Sequence, residues 1–279
     1  MNRCLLVLIG ATLAAAGVAG AAAQIAPATT QREDSLLHRG GGARGYFAIP
    51  CAFSHRNDDD AIINPGHRGV SHNHTYFGNR TTNASSTPAS LRGQATSCRL
   101  HADTAAYWVP TLFVDGRPVN PRGALVYYLR RTTADVQAFP AGLKVVAGNA
   151  AATRAQGADI TYWICGRVRA ASLAGCPTGF RSEGLSLVVK FPNCWNGTSL
   201  DSANHKSHLA YSSDGVCPAS HPVAVPLLAV IVRYPALGSG LIALASGGQF
   251  SGHADFVNAW DQTTLERLVD RYLNRARRR

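Results

Sequence analysis

The chain has 279 residues, of which 46% are hydrophobic and 15% charged; it is too apolar and too sparsely charged for a disordered chain and long enough for one sizeable core. Its 27 glycines and 14 prolines punctuate the whole length, which argues against a coiled coil or a helical bundle. The formal charge of +11 comes without a recognition helix, a zinc-finger spacing or an aromatic RNA-binding signature, so no nucleic-acid partner is expected.

In chain order, residues 1–23 read as a signal peptide. Arg3 supplies a positive start, Cys4 to Val18 is apolar, and Ala19-Gly20-Ala21-Ala22-Ala23 offers small residues for cleavage. A membrane span needs ~20 strongly apolar residues; this alanine-rich stretch is shorter, and no later segment qualifies. The expectation is a secreted or periplasmic protein with no transmembrane span after processing. Residues 24–44 are polar, end near Gly40-Gly41-Gly42 and read as a flexible leader. Residues 45–273 read as a single β-rich domain and 274–279 as a basic tail.

Short apolar runs rich in β-branched and aromatic residues, separated by Gly, Pro, Asn or Asp, predict strands. The better candidates are Tyr46–Phe53, Tyr107–Val114, Ala124–Leu129, Leu143–Ala147, Thr161–Cys165, Leu185–Phe191 and Ala224–Tyr234. One helix is predicted late, capped by Thr263 or Thr264, with Leu265, Leu268, Val269 and Tyr272 at helical spacing. The fold class is therefore all-β dominated: a single disulfide-stapled β-sandwich or jelly-roll-like domain with one C-terminal helix.

Loss of Cys4 with the signal leaves Cys51, Cys98, Cys165, Cys176, Cys194 and Cys217. In an exported chain an even set implies disulfides, and no Cys-x-x-Cys spacing supports a zinc site. Counting leaves the connectivity open; proximity suggests Cys51–Cys98, Cys165–Cys176 and Cys194–Cys217.

The histidines carry the chemistry. Ser71-His72-Asn73-His74, His205-Lys206-Ser207-His208 and His253-Ala254-Asp255 form three short clusters. In an extended segment His72 and His74 share a face, and His205 and His208 can converge on one side of a turn. One expectation is a divalent-metal site drawn from His72, His74, His205, His208 and His253, the metal being left open among zinc, copper, manganese and iron. The other is metal-free acid–base chemistry, with Asp255 orienting a histidine and Lys206 stabilising negative charge. Any one histidine alone is more simply a structural hydrogen-bonding group.

Other motifs weigh less. Asp58-Asp59-Asp60 lacks EF-hand spacing and reads as a solvated acidic loop. Trp195 offers a sugar-stacking platform, or else packs on a disulfide. Tyr107-Trp108-Val109-Pro110 reads as core, and Asn79, Asn83 and Asn196 head glycosylation sequons.

A set of ordered motifs resembles the secreted DUF1996 family from about Cys51 to Asp270. The residues are Asp60-Ala61-Ile62 with Pro65-Gly66, His72-Asn73-His74-Thr75-Tyr76-Phe77-Gly78-Asn79, Tyr107-Trp108-Val109-Pro110 and Phe139-Pro140-Ala141-Gly142-Leu143. They continue through Phe191-Pro192-Asn193-Cys194-Trp195-Asn196-Gly197, Leu200-Asp201-Ser202-Ala203-Asn204-His205-Lys206-Ser207-His208 and His253-Ala254-Asp255-Phe256. The resemblance implies secretion and one module, not a reaction. Thr75 and Asn196 depart from the family's usual residues and are left out of the site.

Two functions follow as expectations. The first is a secreted enzyme that cleaves a cell-envelope or extracellular polysaccharide, anionic in view of Lys206 and nearby arginines, through the His/Asp cluster. The second is a non-catalytic wall- or glycan-binding module with structural histidines and Trp195 as a platform.

Overall fold

Short extended segments whose successive side chains turn to opposite faces of a sheet form the framework of the computed structural model, which describes residues 38–40 and 45–275. The first nine strands are β1 (His38–Gly40), β2 (Tyr46–Cys51), β3 (Phe53–Asn57), β4 (His74–Gly78), β5 (Ala106–Pro110), β6 (Leu112–Val114), β7 (Arg117–Pro118), β8 (Gly123–Leu129) and β9 (Lys144–Gly148). The other nine are β10 (Thr161–Cys165), β11 (Val168–Ala170), β12 (Leu185–Lys190), β13 (Cys194–Trp195), β14 (Leu209–Ala210), β15 (Val223–Ala224), β16 (Leu227–Arg233), β17 (Ile242–Leu244) and β18 (His253–Val257). The signal-peptide reading lies outside the described residues.

Two antiparallel sheets dominate: a seven-stranded one in the order β1-β2-β8-β16-β12-β10-β11 and a five-stranded one in the order β3-β4-β5-β18-β9. With 34% strand and 11% helix, the class is β-rich, as the periodicity requires. The longest runs break where the backbone demands it. Tyr46–Phe53 divides at Ala52 into β2 and β3, which join different sheets, and Ala224–Tyr234 divides before Pro226, which has no N–H to give a ladder. Within the segment read as a leader, β1 pairs antiparallel with β2.

The main core lies between the two sheets. Phe47, Ile49, Val126, Tyr128, Leu187 and Val230 from the larger sheet meet Phe77, Tyr107, Val109, Val145 and Phe256 from the smaller. A polar network bridges them: the Tyr107 and Tyr128 hydroxyls are 2.7 Å apart, Trp260 Nε1 donates to Tyr128, and Tyr107 donates to the buried Asp103 carboxyl. Since successive strand residues point to opposite faces, the five-stranded sheet has a second buried face. There Tyr76, Ala106, Trp108, Val146 and Val257 pack under Ala61, Ile62 and Leu91. That outer face carries the site.

The C-terminal helix, Gln262–Leu268, is capped by Asp261, whose side chain accepts from the Thr264 N–H, rather than by either threonine. A π-helical turn, Val269–Asn274, continues it, and Leu265, Leu268, Val269 and Leu273 are buried against the core. The span expected to be tail therefore begins ordered: Asn274 exchanges two hydrogen bonds with the Val136 backbone and Arg275 pairs with Asp270.

Disulfides join Cys51 to Cys98, Cys165 to Cys176 and Cys194 to Cys217. Each is expected to stabilise by ~2–4 kcal/mol through restriction of the unfolded chain, and the set fits an oxidising compartment. Among the described residues no helix is long and apolar enough to cross a membrane. Of the sequons, Asn79 is fully buried and bonded to the Leu91 and Thr104 carbonyls, so it is no acceptor for a glycan.

Candidate functional site

Strand alternation sets one half of the site. On β4, His74 and Tyr76 face outward while Phe77 enters the core; on β18, His253 and Asp255 face outward while Ala254 and Phe256 enter it. Between these strands runs β5, whose Pro110 pairs with His74 and whose Trp108 pairs with both Tyr76 and Asp255. The outward residues of two different strands thus stand on one wall.

The other half is the loop between β3 and β4, folded back by its own aspartates. Asp60 Oδ1 accepts from the Ile62 and Ile63 N–H groups at 2.8 Å each. Asp59 ties the Gly69 and Ala84 amides, and Asp58 accepts from the Asn73 side chain. Two of its three acids are not solvated as the charge run suggested: Asp58 is exposed, but Asp59 and Asp60 are buried, because each of these carboxylates satisfies nearby backbone donors. This fold brings Asp60 Oδ2 to 4.0 Å from His74 Nε2 and carries His72 over the wall.

The result is a knot of three imidazoles and two carboxylates. His72 Nε2 lies 3.1 Å from His253 Nε2, the His72 and His74 rings are 4.3 Å apart, and those of His74 and His253 are 5.8 Å apart. His253 Nε2 is 4.0 Å from Asp255 Oδ2. Ligand-capable atoms of His72, His74 and His253 form one group within 4.8 Å of one another, and Asp60, His74 and Asp255 form a second, with His74 in both.

The tautomers are set from behind. His74 Nδ1 donates to the Asp59 carbonyl and His253 Nδ1 to the Ser251 carbonyl, both at 2.9 Å, so each Nε2 turns a lone pair toward the knot. Tyr76 donates to the same Asp59 carbonyl. Burial pulls the pKa of His74 and of His253 down to about 3 and lowers that of His72 as well. Burial, with Asp60 adding to it, holds the Asp255 carboxyl well above the usual carboxylate range. His74 Nε2 and both Asp255 oxygens are buried and accept no hydrogen bond among the described residues, although buried polar atoms are nearly always paired. Only His72 is part-exposed, so solvent reaches the knot from its side.

The third histidine cluster stands apart. His205 bonds Asp201 at 2.8 Å, and Asp201 also pairs with Lys144. His208 uses both ring nitrogens, on Ser202 Oγ and the Lys144 carbonyl. These are ties within the 200–210 turn and to β9. Lys206, exposed, donates to the Gly148 carbonyl, and Gly148 is the ladder partner of His253; it sits at the rim. Trp195, part-buried, donates to the Ser199 carbonyl and packs on the core beside Leu209 and Val223.

Asp60 is the residue that sequence reasoning missed. Its signal was the Asp-Ala-Ile turn leading into an apolar run, hidden within a run of three acids.

Fold and site together define a class: a disulfide-bonded β-rich protein with a buried His/Asp cluster on the outer face of one sheet. A family model described as "Domain of unknown function (DUF1996)" matches residues 60–260, a span that begins at Asp60 and includes all five residues of the knot. The chain belongs to that family. No curated protein and no solved structure matches it.

Proposed function

We propose that the protein is an exported metal-dependent enzyme acting on extracellular or cell-envelope polysaccharide, with a divalent ion held by His72, His74 and His253 and with Asp60 and Asp255 beside it. The observation that carries this reading is the set of buried atoms without partners, His74 Nε2 and both Asp255 oxygens, aimed into a cluster whose imidazole tautomers are fixed from behind. Such backing bonds are the usual companions of metal-ligating histidines.

The spacing supports it. His72, His74 and His253 bring their donor atoms within 4.8 Å of one another, and Asp60 and Asp255 each come to 4.0 Å from one of these imidazoles. Three imidazoles with carboxylates suit zinc, manganese or iron(II) better than a thiolate-seeking ion. Bound there, the ion would supply a Lewis acid and an activated water. The chain's own part is to present neutral imidazoles, to leave the His72 side open to substrate, and to place Lys206 where it meets an anionic group. His205 and His208 fall outside this centre. They fit the alternative of a glycan-binding module with structural histidines, but the unpartnered His74 does not.

The test is elemental analysis of protein purified without a histidine tag, followed by a screen of acidic and neutral polysaccharides for new reducing ends or unsaturated products. Near-stoichiometric zinc, manganese or iron supports the centre. Metal-free protein whose melting temperature does not respond to these ions overturns it.

A further inference from the structure

The outer face of the seven-stranded sheet, on the opposite side of the molecule from the His/Asp knot, has its own chemistry. Inward residues of β8, β16, β12 and β10 fill the core, so alternation turns Tyr127, Ala229, Ile231, Val188, Lys190 and Tyr162 outward. The register arranges them in rows. Tyr127 and Lys190 both pair with Ala229, and Tyr162 and Ile231 both pair with Val188. A methyl group between a tyrosine and a lysine leaves a trough with Ala229 as its floor. The cavity there measures 620 Å³, inside the ~300–1,000 Å³ span of ordinary ligand clefts.

Its walls are aromatic and cationic. Tyr127, Tyr162 and Tyr211 line it with Arg131, Arg169 and Lys190. The Arg169 guanidinium lies 5.0 Å and the Lys190 ammonium 5.2 Å from the Tyr162 ring centre. Burial and then the neighbouring arginines oppose the charge on Lys190, while the fully exposed Asp159, at 3.8 Å, favours it. Two cations therefore stand against one ring, with Arg131 lining the same trough and Asp159 3.8 Å from Lys190.

We infer that this trough binds a carboxylate-bearing polysaccharide chain, its acid groups on Arg169, Lys190 and Arg131 and its sugar rings against Tyr127. Two features favour a glycan over a nucleic acid. The Tyr162 face is already covered by cations, so it offers no bare ring for a base to stack on. Asp159, Asp214 and Ser212, which also line the trough, suit hydroxyl groups, which every sugar of a polyuronate presents and the backbone of single-stranded DNA does not. The assignment does not rest on the metal centre; it gives the protein a second hold on an acidic polymer.

The experiment is affinity electrophoresis of the whole exported chain in gels containing polygalacturonate, neutral dextran or a single-stranded 20-mer of DNA, with melting temperature measured in parallel. Polygalacturonate should retard the protein in a salt-sensitive manner and dextran should not. Tyr127→Ala and Arg169→Glu should each weaken binding about tenfold, Arg169→Lys should restore most of it, and His74→Ala should leave it unchanged. Absence of retardation by polygalacturonate would overturn the assignment. So would equal or tighter binding of the DNA, or full binding by a folded Arg169→Glu protein.

Discussion

Replacing Asp255 with alanine should stabilise the protein when stripped of metal and abolish its response to metal. The carboxyl sits in the middle of β18, 1% exposed, between Trp108 on one neighbour and Val146 on the other. Neither oxygen has a hydrogen-bond partner. A buried polar group left unpaired costs ~1–3 kcal/mol, and alanine at this position gives up no hydrogen bond. At ~2–4 °C per kcal/mol for a domain of this size, the stripped variant should melt roughly 2–10 °C above the stripped parent. The parent, with free ion at a hundred times its dissociation constant, should gain ~2.7 kcal/mol, or about 5–10 °C. If loss of the ligand weakens binding a hundredfold, the same ion concentration gives the variant only ~0.4 kcal/mol. Calorimetry of untagged, EDTA-treated proteins with and without zinc or manganese reads both effects. A stripped variant that melts below the parent, yet keeps the parent's full rise with metal, would show that Asp255 serves the fold and not the ion.

Ligand assignment separates the histidines: His74→Ala and His253→Ala should lose bound metal in elemental analysis, whereas His205→Ala should keep it. His208→Ala should also keep metal but lower the free energy of urea unfolding by about 1–3 kcal/mol, since Ser202 and the Lys144 carbonyl lose their partner. Gly148→Ala should damage both stability and metal binding. Gly148 has φ +82°, and a Cβ there would fall 2.6 Å from the Gly252 carbonyl oxygen and 2.9 Å from the His253 Cα; a variant with normal metal content and stability would refute the close packing. Finally, burial raises the Asp103 carboxyl from 3.8 to about 8, against the hydrogen bonds from Tyr107 and Ala105. The folded state then binds more protons than the unfolded one between those values, so this group's contribution to stability falls as pH rises from ~4 to ~8 and is level above. Asp103→Asn removes that slope. Urea midpoints from pH 5 to 9 should show the variant gaining on the parent up to about pH 8, and a constant difference would contradict the assignment.

Strands whose two faces both meet apolar neighbours were legible in the sequence. Thr161–Cys165 is a run of aromatic and β-branched residues, and no helix competes for it. The strands that carry chemistry were not: β4 (HTYFG) and β18 (HADFV) interrupt their hydrophobic pattern with the very residues that form the site. Buried polar side chains break the periodicity that would have announced each strand. The pairing of His72 with His74 on one face was legible from two-residue spacing. The approach of His253 was not, because it depends on β18 lying beside β5, a long-range register that local pattern does not encode. The surroundings of the 205–208 cluster were not legible either. Its local spacing is suggestive, but Asp201 takes His205 Nδ1, and Ser202 Oγ and the Lys144 carbonyl take both nitrogens of His208, partners visible only in three dimensions.

Asp60 shows how a charge run deceives. Three adjacent acids in a loop are usually hydrated, because desolvating each costs more than it returns. Here each has a separate occupation: Asp58 holds Asn73, Asp59 stitches the loop to Gly69 and Ala84, and Asp60 caps the Ile62 turn with one oxygen while the other faces His74. Of the two buried acids, Asp59 commits both oxygens to backbone amides, while Asp60 turns one toward the imidazole. The loop is therefore the element that converts a wall of two histidines and one acid into a closed cluster, and its register against the wall rests on the Asp59 carbonyl that both His74 and Tyr76 grip. A change that loosened this carbonyl would move Asp60 and His72 together. Site assembly and loop docking are then one event for Asp60, His72 and His74, whereas His253 is anchored separately on the Ser251 carbonyl.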